Sequence, residues 1–407
     1  MRFLFTSLFS NDLGLPTSTL PIAVELRARG HEVAVCNPAQ APSALIAEAG
    51  LPNLPIRQLR PKVYAPSTPE VWNSDHFAAL TGMLDAQYVR GSTDLLCEVI
   101  GRFQPDVVVD SWNPCACLAA RVSGRRLATV IHSYVHPASR GFIWWRPAPD
   151  DLPDAAGPVN QVLEQHGLAP VRRLAELYVG DQTMIHGTPA TDPLPPEAPG
   201  QHIGAVLWQR PVPTLPPELL QLDDQRPLVW IYTGNPRYGA FPSWADSAVV
   251  LRACVEALAD CAVQVVVTTG FHPLPKDLQH LPPHFVHLAY VPAIEMARRS
   301  ALLIHHGGYN SCQLSLLVGT PSLVIPTFSE REGNARRLAG LGAGEFLVPL
   351  ADQDSHKQLD PAALRDLALT MLASRHYREG AHRAGEHLRA YGGTRRAADL
   401  LEAEVCR

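Results

Sequence analysis

Ala301-Leu302-Leu303-Ile304-His305-His306-Gly307-Gly308-Tyr309-Asn310-Ser311 runs from an apolar stretch into a polar, glycine-bearing turn, and most of the chain can be placed from it. Residues 302–304, closed by His305, have the apolar character of a strand covered on both faces. Beyond the turn, residues 312–318 carry an apolar pattern that continues as a helix. His306, Gly307, Gly308, Asn310 and Ser311 then stand at the helix N-terminus. Such an end attracts anions: its first N–H groups lack intrahelical acceptors, its dipole is positive there, and glycines let a ligand reach the backbone. A diphosphate suits this chemistry. The structural alternative for His306 is a side chain that only terminates a strand.

With 407 residues the chain is long enough for about two domains. A formal charge of −5 with 18% charged residues supplies no basic stripe for nucleic acid, which favours small-molecule partners. Residues 1–9 are apolar but include Arg2 and lead into Asn11-Asp12, unlike a secretory leader, and no apolar run approaches the ~20 residues of a membrane span. The eight cysteines are scattered without a Cys-x-x-Cys pair, which points to reduced thiols and a cytoplasmic protein. His132 with His136, and His284 with His287, have metal-like spacing but no cysteine or acidic cluster beside them, so no metal site is expected.

Apolar runs and helical periodicities alternate along the chain. Strand 2–7, helix 19–29 and strand 33–36 make a first βαβ unit, followed by strand 107–109 ending at Asp110, a helix over 114–122, and strand 127–132. Prolines crowd residues 189–227, so continuous regular structure is not expected there and the interdomain connection falls within that tract. The alternation then restarts with strand 228–232, ending at Thr233-Gly234-Asn235. It continues with helix 245–258, strands at 263–268, 286–290, 302–305 and 322–325, and helices over 361–373, 376–390 and from 394. Alternation of this kind predicts an α/β protein with parallel sheets covered on both faces. The expected boundaries are a first domain 1–204, a proline-rich linker 205–226, a second domain 227–390, and a C-terminal helix 391–407 that packs back on the first domain.

The opening stretch, continued by Gly319-Thr320-Pro321 and Val324-Ile325-Pro326, resembles the nucleotide-sugar signature of GT-B glycosyltransferases of family 1, the group with antibiotic, macrolide and plant natural-product glycosyltransferases. Further landmarks in family order are 26–33, 105–110, 226–229, Tyr290-Val291-Pro292 and Gly342-Ala343-Gly344. The resemblance implies two Rossmann-like, doubly wound domains facing across a cleft, and an inverting, metal-independent hexosyltransferase without a cofactor. Such an enzyme moves a hexose or deoxyhexose from a dTDP or UDP sugar to a small, largely apolar natural-product acceptor. It also implies donor contacts at Thr233, Gly234, Asn235, Val291, His306, Gly307, Gly308, Asn310 and Ser311, with Glu330 holding sugar hydroxyls beside Arg331, where the family has Gln. Asn334 follows at the family spacing, and a homodimer is compatible with it.

Two positions depart from the pattern. The glutamate that binds ribose hydroxyls is replaced by Leu314, with Gln313 adjacent, which leans toward thymidine diphosphate, whose ribose has one hydroxyl fewer. The histidine that serves as general base falls at Leu15, which cannot take a proton. Asp110, at the position of the orienting carboxylate, Asp12 and His132 are the candidate replacements. Each also has a structural role open to it: helix cap, turn residue, strand-end side chain. Acceptor contacts are expected from Trp144, Trp145 and His136, and from the region 64–88. The Leu15 vacancy also allows a catalytically silent accessory protein, and the fold allows a sugar-nucleotide epimerase. Asp352-Gln353-Asp354 matches a metal motif of the other glycosyltransferase fold but sits in a polar loop, where no metal is expected.

Overall fold

The structure is a computed structural model that describes residues 1–62, 64, 70–210, 216–223, 225–234, 247–270, 272–351 and 357–405. It divides into two compact units, Met1–Trp208 with Ala390–Arg407, and Gln209–Arg389.

The first unit is built on six parallel strands: β1 Arg2–Ser7, β2 Glu32–Cys36, β3 Val107–Ser111, β4 Arg126–Ile131, β5 Gln182–His186 and β6 Gln201–Gly204. Their order is β2-β1-β3-β4-β5-β6, so the chain reverses its direction of travel between β1 and β3. Helices α1 Gly14–Ala28, α2 Gln40–Glu48, α3 Ser74–Ala78, α4 Ala86–Phe103, α5 Pro114–Val122 and α6 Ala156–Gln165 accompany it. One face of the sheet supplies Phe3, Phe5, Val107, Val109 and Val130 to a core shared with Ile22 and Leu26 of α1.

The second unit has the parallel order β12-β11-β10-β7-β8-β9, made of β7 Leu228–Tyr232, β8 Gln264–Thr268, β9 Phe285–Leu288, β10 Leu302–His305, β11 Ser322–Val324 and β12 Gly344–Phe346. Its helices are α7 Ser247–Leu258, α8 Ala293–Arg299, α9 Tyr309–Val318, α10 Ser329–Gly340, α11 Pro361–Ala373 and α12 Arg375–Ala390. Val229, Ile231, Val265, Leu302 and Ile304 of the strands pack with Val250, Leu251 and Cys254 of α7 and with Leu364, Ala368 and Met371 of α11. A last helix, α13 Thr394–Val405, returns to the first unit, where Ala397, Ala398 and Leu401 are fully buried and Arg29 pairs with Asp399 and Glu402.

Several local expectations change. Helix α1 starts at Gly14 rather than 19, because Pro16 lies in the first turn, where its missing N–H is no loss, and Pro21 is carried inside the helix. The proline-rich tract is not wholly irregular: its polar Gln201–Gly204 segment is the edge strand β6, hydrogen-bonded to β5. The region 64–88, expected to supply acceptor contacts, holds α3 and the start of α4 among its described residues.

Candidate functional site

In the second unit the reversal point lies between β7 and β10, whose register aligns Tyr232 with His305. Open α/β sheets bind ligands outside the carboxyl ends of strands at such a point. Each strand ends there in a glycine turn: Thr233-Gly234 after β7 and His306-Gly307-Gly308 after β10. The turns touch through one ring. A Cβ on Gly234 would stand 3.2 Å from His306 Cε1, one on Gly308 2.6 Å from His306 Nε2, and the imidazole meets Tyr232 edge-on at 5.6 Å. Only glycines leave room for His306 between them.

His306 is buried, with Nδ1 3.4 Å from the Tyr232 carbonyl oxygen. An imidazole facing a carbonyl carries its proton on that nitrogen, which leaves Nε2 as the unprotonated atom beside Gly308. Burial, then the nearby Arg331 charge and His305, hold its pKa well below the ordinary histidine value. His306 is therefore neutral, and the fixed positive charge at this turn is Arg331. That arginine is buried in the first turn of α10 and donates through Nη1 to Thr327 Oγ1 at 2.5 Å. A Cβ on Gly307, whose φ is +86°, would lie 2.8 Å from the Arg331 carbonyl oxygen. Asn334, one turn further along α10, donates through Nδ2 to the Gly307 carbonyl at 3.0 Å. The turn is thus gripped from below by α10, and its neighbour His305 accepts the Gly307 N–H on Nδ1 at 3.1 Å.

Helix α9 begins directly after Gly308. The Ser311 N–H donates to the Gly308 carbonyl at 3.0 Å and the Cys312 N–H to the same oxygen at 3.2 Å. This corrects the expectation that the Ser311 amide faces a ligand: it closes the first turn, and the amides ahead of it, from Gly308 to Asn310, belong to the helix end itself. Glu330 lies one residue before Arg331, its Oε1 3.7 Å from Arg331 Nε, with 18% of its side chain exposed. Val291 is buried before α8, while Tyr290 beside it is exposed and lies 4.4 Å beneath the Arg210 guanidinium. Sequence gave no sign of that stack. Gln313 and Leu314 are both buried in α9. Asn235 and Asp352-Gln353-Asp354 lie outside the described residues.

In the first unit the reversal point lies between β1 and β3, where Thr6 is aligned with Asp110. Asp110 is completely buried; Oδ1 accepts from Thr6 Oγ1 at 2.7 Å and Oδ2 from the Asn113 N–H at 2.9 Å, with Cys117 Sγ at 3.4 Å. Burial pushes its pKa up to about 7 against those hydrogen bonds. The assignment of Asp110 as base is corrected on this ground: both oxygens are engaged in tying β1 to β3 and to α5, and neither meets solvent. The α5 cap is Asn113, which accepts the Ala116 N–H.

His132 is 6% exposed, with Nδ1 2.8 Å from the Tyr134 hydroxyl and its ring against Trp112 at 5.6 Å and His186 at 5.2 Å. Trp112 follows β3 with φ of +65°, rare for a side chain of its size, and its ring also meets Tyr134, Phe142 and Phe77. His136 is corrected as an acceptor contact. Its Nε2 faces the Pro199 carbonyl at 2.9 Å and its Nδ1 accepts the Ala138 N–H at 3.1 Å, so both ring nitrogens are taken. Trp144 and Trp145 meet edge-to-face, 5.6 Å apart at 86°, with Trp144 exposed and Trp145 half-buried. Two rings set at right angles are not the parallel walls of a clamp.

Asp12 is exposed ahead of α1, and its Oδ1 accepts the Gly14 N–H at 2.6 Å. Leu15 is half-buried in the first turn of the same helix. Among the described residues no group of three or more His, Cys, Asp or Glu is placed to hold a metal ion, and no helix is long and apolar enough to cross a membrane.

Residues 252–394 match the family model described as "Erythromycin biosynthesis protein CIII-like, C-terminal domain". The NDP-glycosyltransferase YjiC of Bacillus licheniformis is 30% identical over 181 residues, 44% of this chain and 42% of that relative, so the match spans under half of its length. The TDP-daunosamine transferase DnrS of Streptomyces peucetius is 27% identical over 89% of this chain and 88% of its own. Among solved structures, spinosyn forosaminyltransferase SpnP is similar with a TM-score of 0.75 at 21% identity, covering 100% of both chains. That likeness establishes the fold, GT-B, with its two α/β units.

Proposed function

From a chain that belongs by fold and by the sequence of its second unit to the GT-B glycosyltransferases of family 1, we propose a transfer of hexose or deoxyhexose from a nucleoside-diphosphate sugar to a small, largely apolar acceptor. The observation that carries the proposal is the meeting of two glycine turns around the His306 ring at the start of α9, above the buried Arg331. The amide end of α9, the Thr233-Gly234 turn and the arginine charge favour a diphosphate and stabilise it as it leaves. Glu330 accepts hydrogen bonds from sugar hydroxyls, and the acceptor rests on the first unit.

In the step itself the acceptor oxygen attacks the anomeric carbon from the face opposite the diphosphate. The bond to the diphosphate breaks with its electron pair, and the acceptor's proton passes to a base, giving inversion. No metal or cofactor enters. Of the three candidate bases, Asp12 is the one whose carboxylate meets solvent, and it takes the proton in this scheme. The donor is a thymidine diphosphate sugar. Apolar Leu314 at the position of the ribose ligand and the TDP-sugar specificity in the name of DnrS support that choice. Reduced cysteines and the absence of a membrane-crossing helix among the described residues suit a cytoplasmic enzyme of natural-product biosynthesis.

Thermal unfolding with dTDP and with UDP tests the donor site. At a hundredfold excess over Kd, a ligand bound only to the folded state adds about 2.7 kcal/mol, a rise of about 5–10 °C for a unit this size. The rise is expected with dTDP, smaller with UDP, and absent in His306→Ala. An unchanged rise in that variant places the diphosphate elsewhere. Leu15 favours one competing reading, a silent accessory protein that binds donor without consuming it. Stabilisation by donor with no turnover on any acceptor is its signature.

A further inference from the structure

At the amino ends of β7, β8 and β10, opposite the glycine turns, the second unit has a cavity of about 200 Å³. Leu228 opens β7 there, whereas Tyr232 closes it at the His306 turn, roughly 13 Å away along the strand. Four arginines line the cavity: Arg226 from the segment before β7, Arg298 and Arg299 from the end of α8, and Arg378 from α12.

We infer that this cavity is a second, separate binding site, for a compact phosphate or diphosphate anion. Three observations carry it. The wall is built rather than loose: Gln264, 8% exposed, accepts the Asp223 N–H at 2.6 Å through Oε1 and donates through Nε2 to the Asp223 and Arg226 carbonyls. The cations are only half compensated. Arg226 lies 3.5 Å from Asp223 and Arg298 2.7 Å from Glu295, but among the described residues neither Arg299 nor Arg378 has a carboxylate partner. Arg378 is also aimed, since Nη2 donates to the Ala301 carbonyl at 3.3 Å on the cavity rim and leaves the rest of its fork available.

The helix dipole explains basic residues in the last turn of α8, but not the convergence of Arg226 and Arg378 from two other elements on the same space. In a chain with a formal charge of −5, like charges gathered around one cavity repel each other until an anion lies between them. Guanidinium forks match phosphate oxygens in pairs, which selects phosphate chemistry over a simple halide.

The test uses the whole chain with His306→Ala, so that the proposed donor site does not contribute, and titrates inorganic pyrophosphate while following thermal unfolding and calorimetric binding. Binding at one site per chain, lost at least tenfold when Arg299→Ala and Arg378→Ala are added, is expected. It should weaken as sodium chloride is raised. Circular dichroism and an unshifted melting temperature without ligand check that the added variants fold. No binding in the His306→Ala chain, or binding that survives both arginine changes, overturns the site. Neither outcome touches the donor reading, which stands or falls on dTDP and His306 in the otherwise native chain.

Discussion

Leu15 and Asp12 sit three residues apart at the head of α1, one half-buried and apolar, the other exposed and charged. In the family pattern a histidine at the first of these positions takes the acceptor's proton, and here the Asp12 carboxylate is bound at Oδ1 to the Gly14 amide. That bond fixes the carboxylate's orientation. If Asp12 takes the proton, Asp12→Asn lowers kcat by about 10²-fold or more, the usual contribution of a positioned base, with the donor KM unchanged. Adding Leu15→His to that variant restores part of the rate. Steady-state kinetics with a phenolic and a carboxylic acceptor check both outcomes, and a loss of rate confined to the phenol identifies proton removal as the missing step. Arg331 belongs beside these residues as a replacement that the sequence showed but did not explain. It stands where the family has Gln, and the structure folds it beneath Gly307, buried against Thr327.

The glycine turn between β10 and α9 separates binding from folding in adjacent positions. Gly307 has φ of +86° and faces the α10 backbone, so Gly307→Ala adds left-handed strain of about 1–2 kcal/mol and a clash with the Arg331 carbonyl. Gly308 has φ of −59°, ordinary for any residue, and the nearest atoms its added methyl meets are those of the His306 ring, at 2.6 Å from Nε2. Gly307→Ala is therefore expected to lower the melting temperature of the free protein by several degrees. Gly308→Ala should lower that temperature less, because a side-chain ring can turn where backbone cannot, while sharply reducing the dTDP-induced rise. Equal effects in the two variants would show that the ring and the backbone are not independent supports. The same elements show what a sequence makes legible. Leu228–Tyr232 and Leu302–His305 were readable to the residue because strands buried on both faces are plain apolar runs. The 18-residue α4 was not, since Gly91, Ser92, Thr93 and Asp94 interrupt its periodicity, and edge strand β6 reads Gln-His-Ile-Gly within a proline tract. The turn at 306–308 was legible through its glycines. The engagement of the Ser311 amide, the locking of His136 onto Pro199 and the positive φ of Trp112 depend on partners distant in sequence or on backbone angles that no residue pattern encodes.

Each unit of the molecule buries a neutral imidazole, His186 in the first and His305 in the second, and burial pushes both down to about 3. Between that value and the ordinary one near 6.5, the unfolded chain binds a proton that the folded chain refuses, so stability falls as the pH falls. Each such group removes about 1 kcal/mol per pH unit across that window. The first unit carries opposing groups. Asp110, pushed up to about 7, and Asp75, also raised by burial, bind protons in the folded state before the unfolded chain does, which adds stability on acidification. In the second unit His306 and His287 act in the same direction as His305, as His76 and His136 do beside His186 in the first, where Asp110 and Asp75 offset the loss. The prediction is therefore unequal: from pH 6.5 to 4.5 the second unit loses more stability than the first. Hydrogen exchange read separately on peptides from β1 and β3 and from β7 and β10 measures it, because one melting temperature for a two-unit chain does not separate the units. Earlier loss of protection in β1 and β3 would mean that Asp110 is not protonated in the folded protein. The buried Thr6–Asp110 contact would then be a charged link between strands.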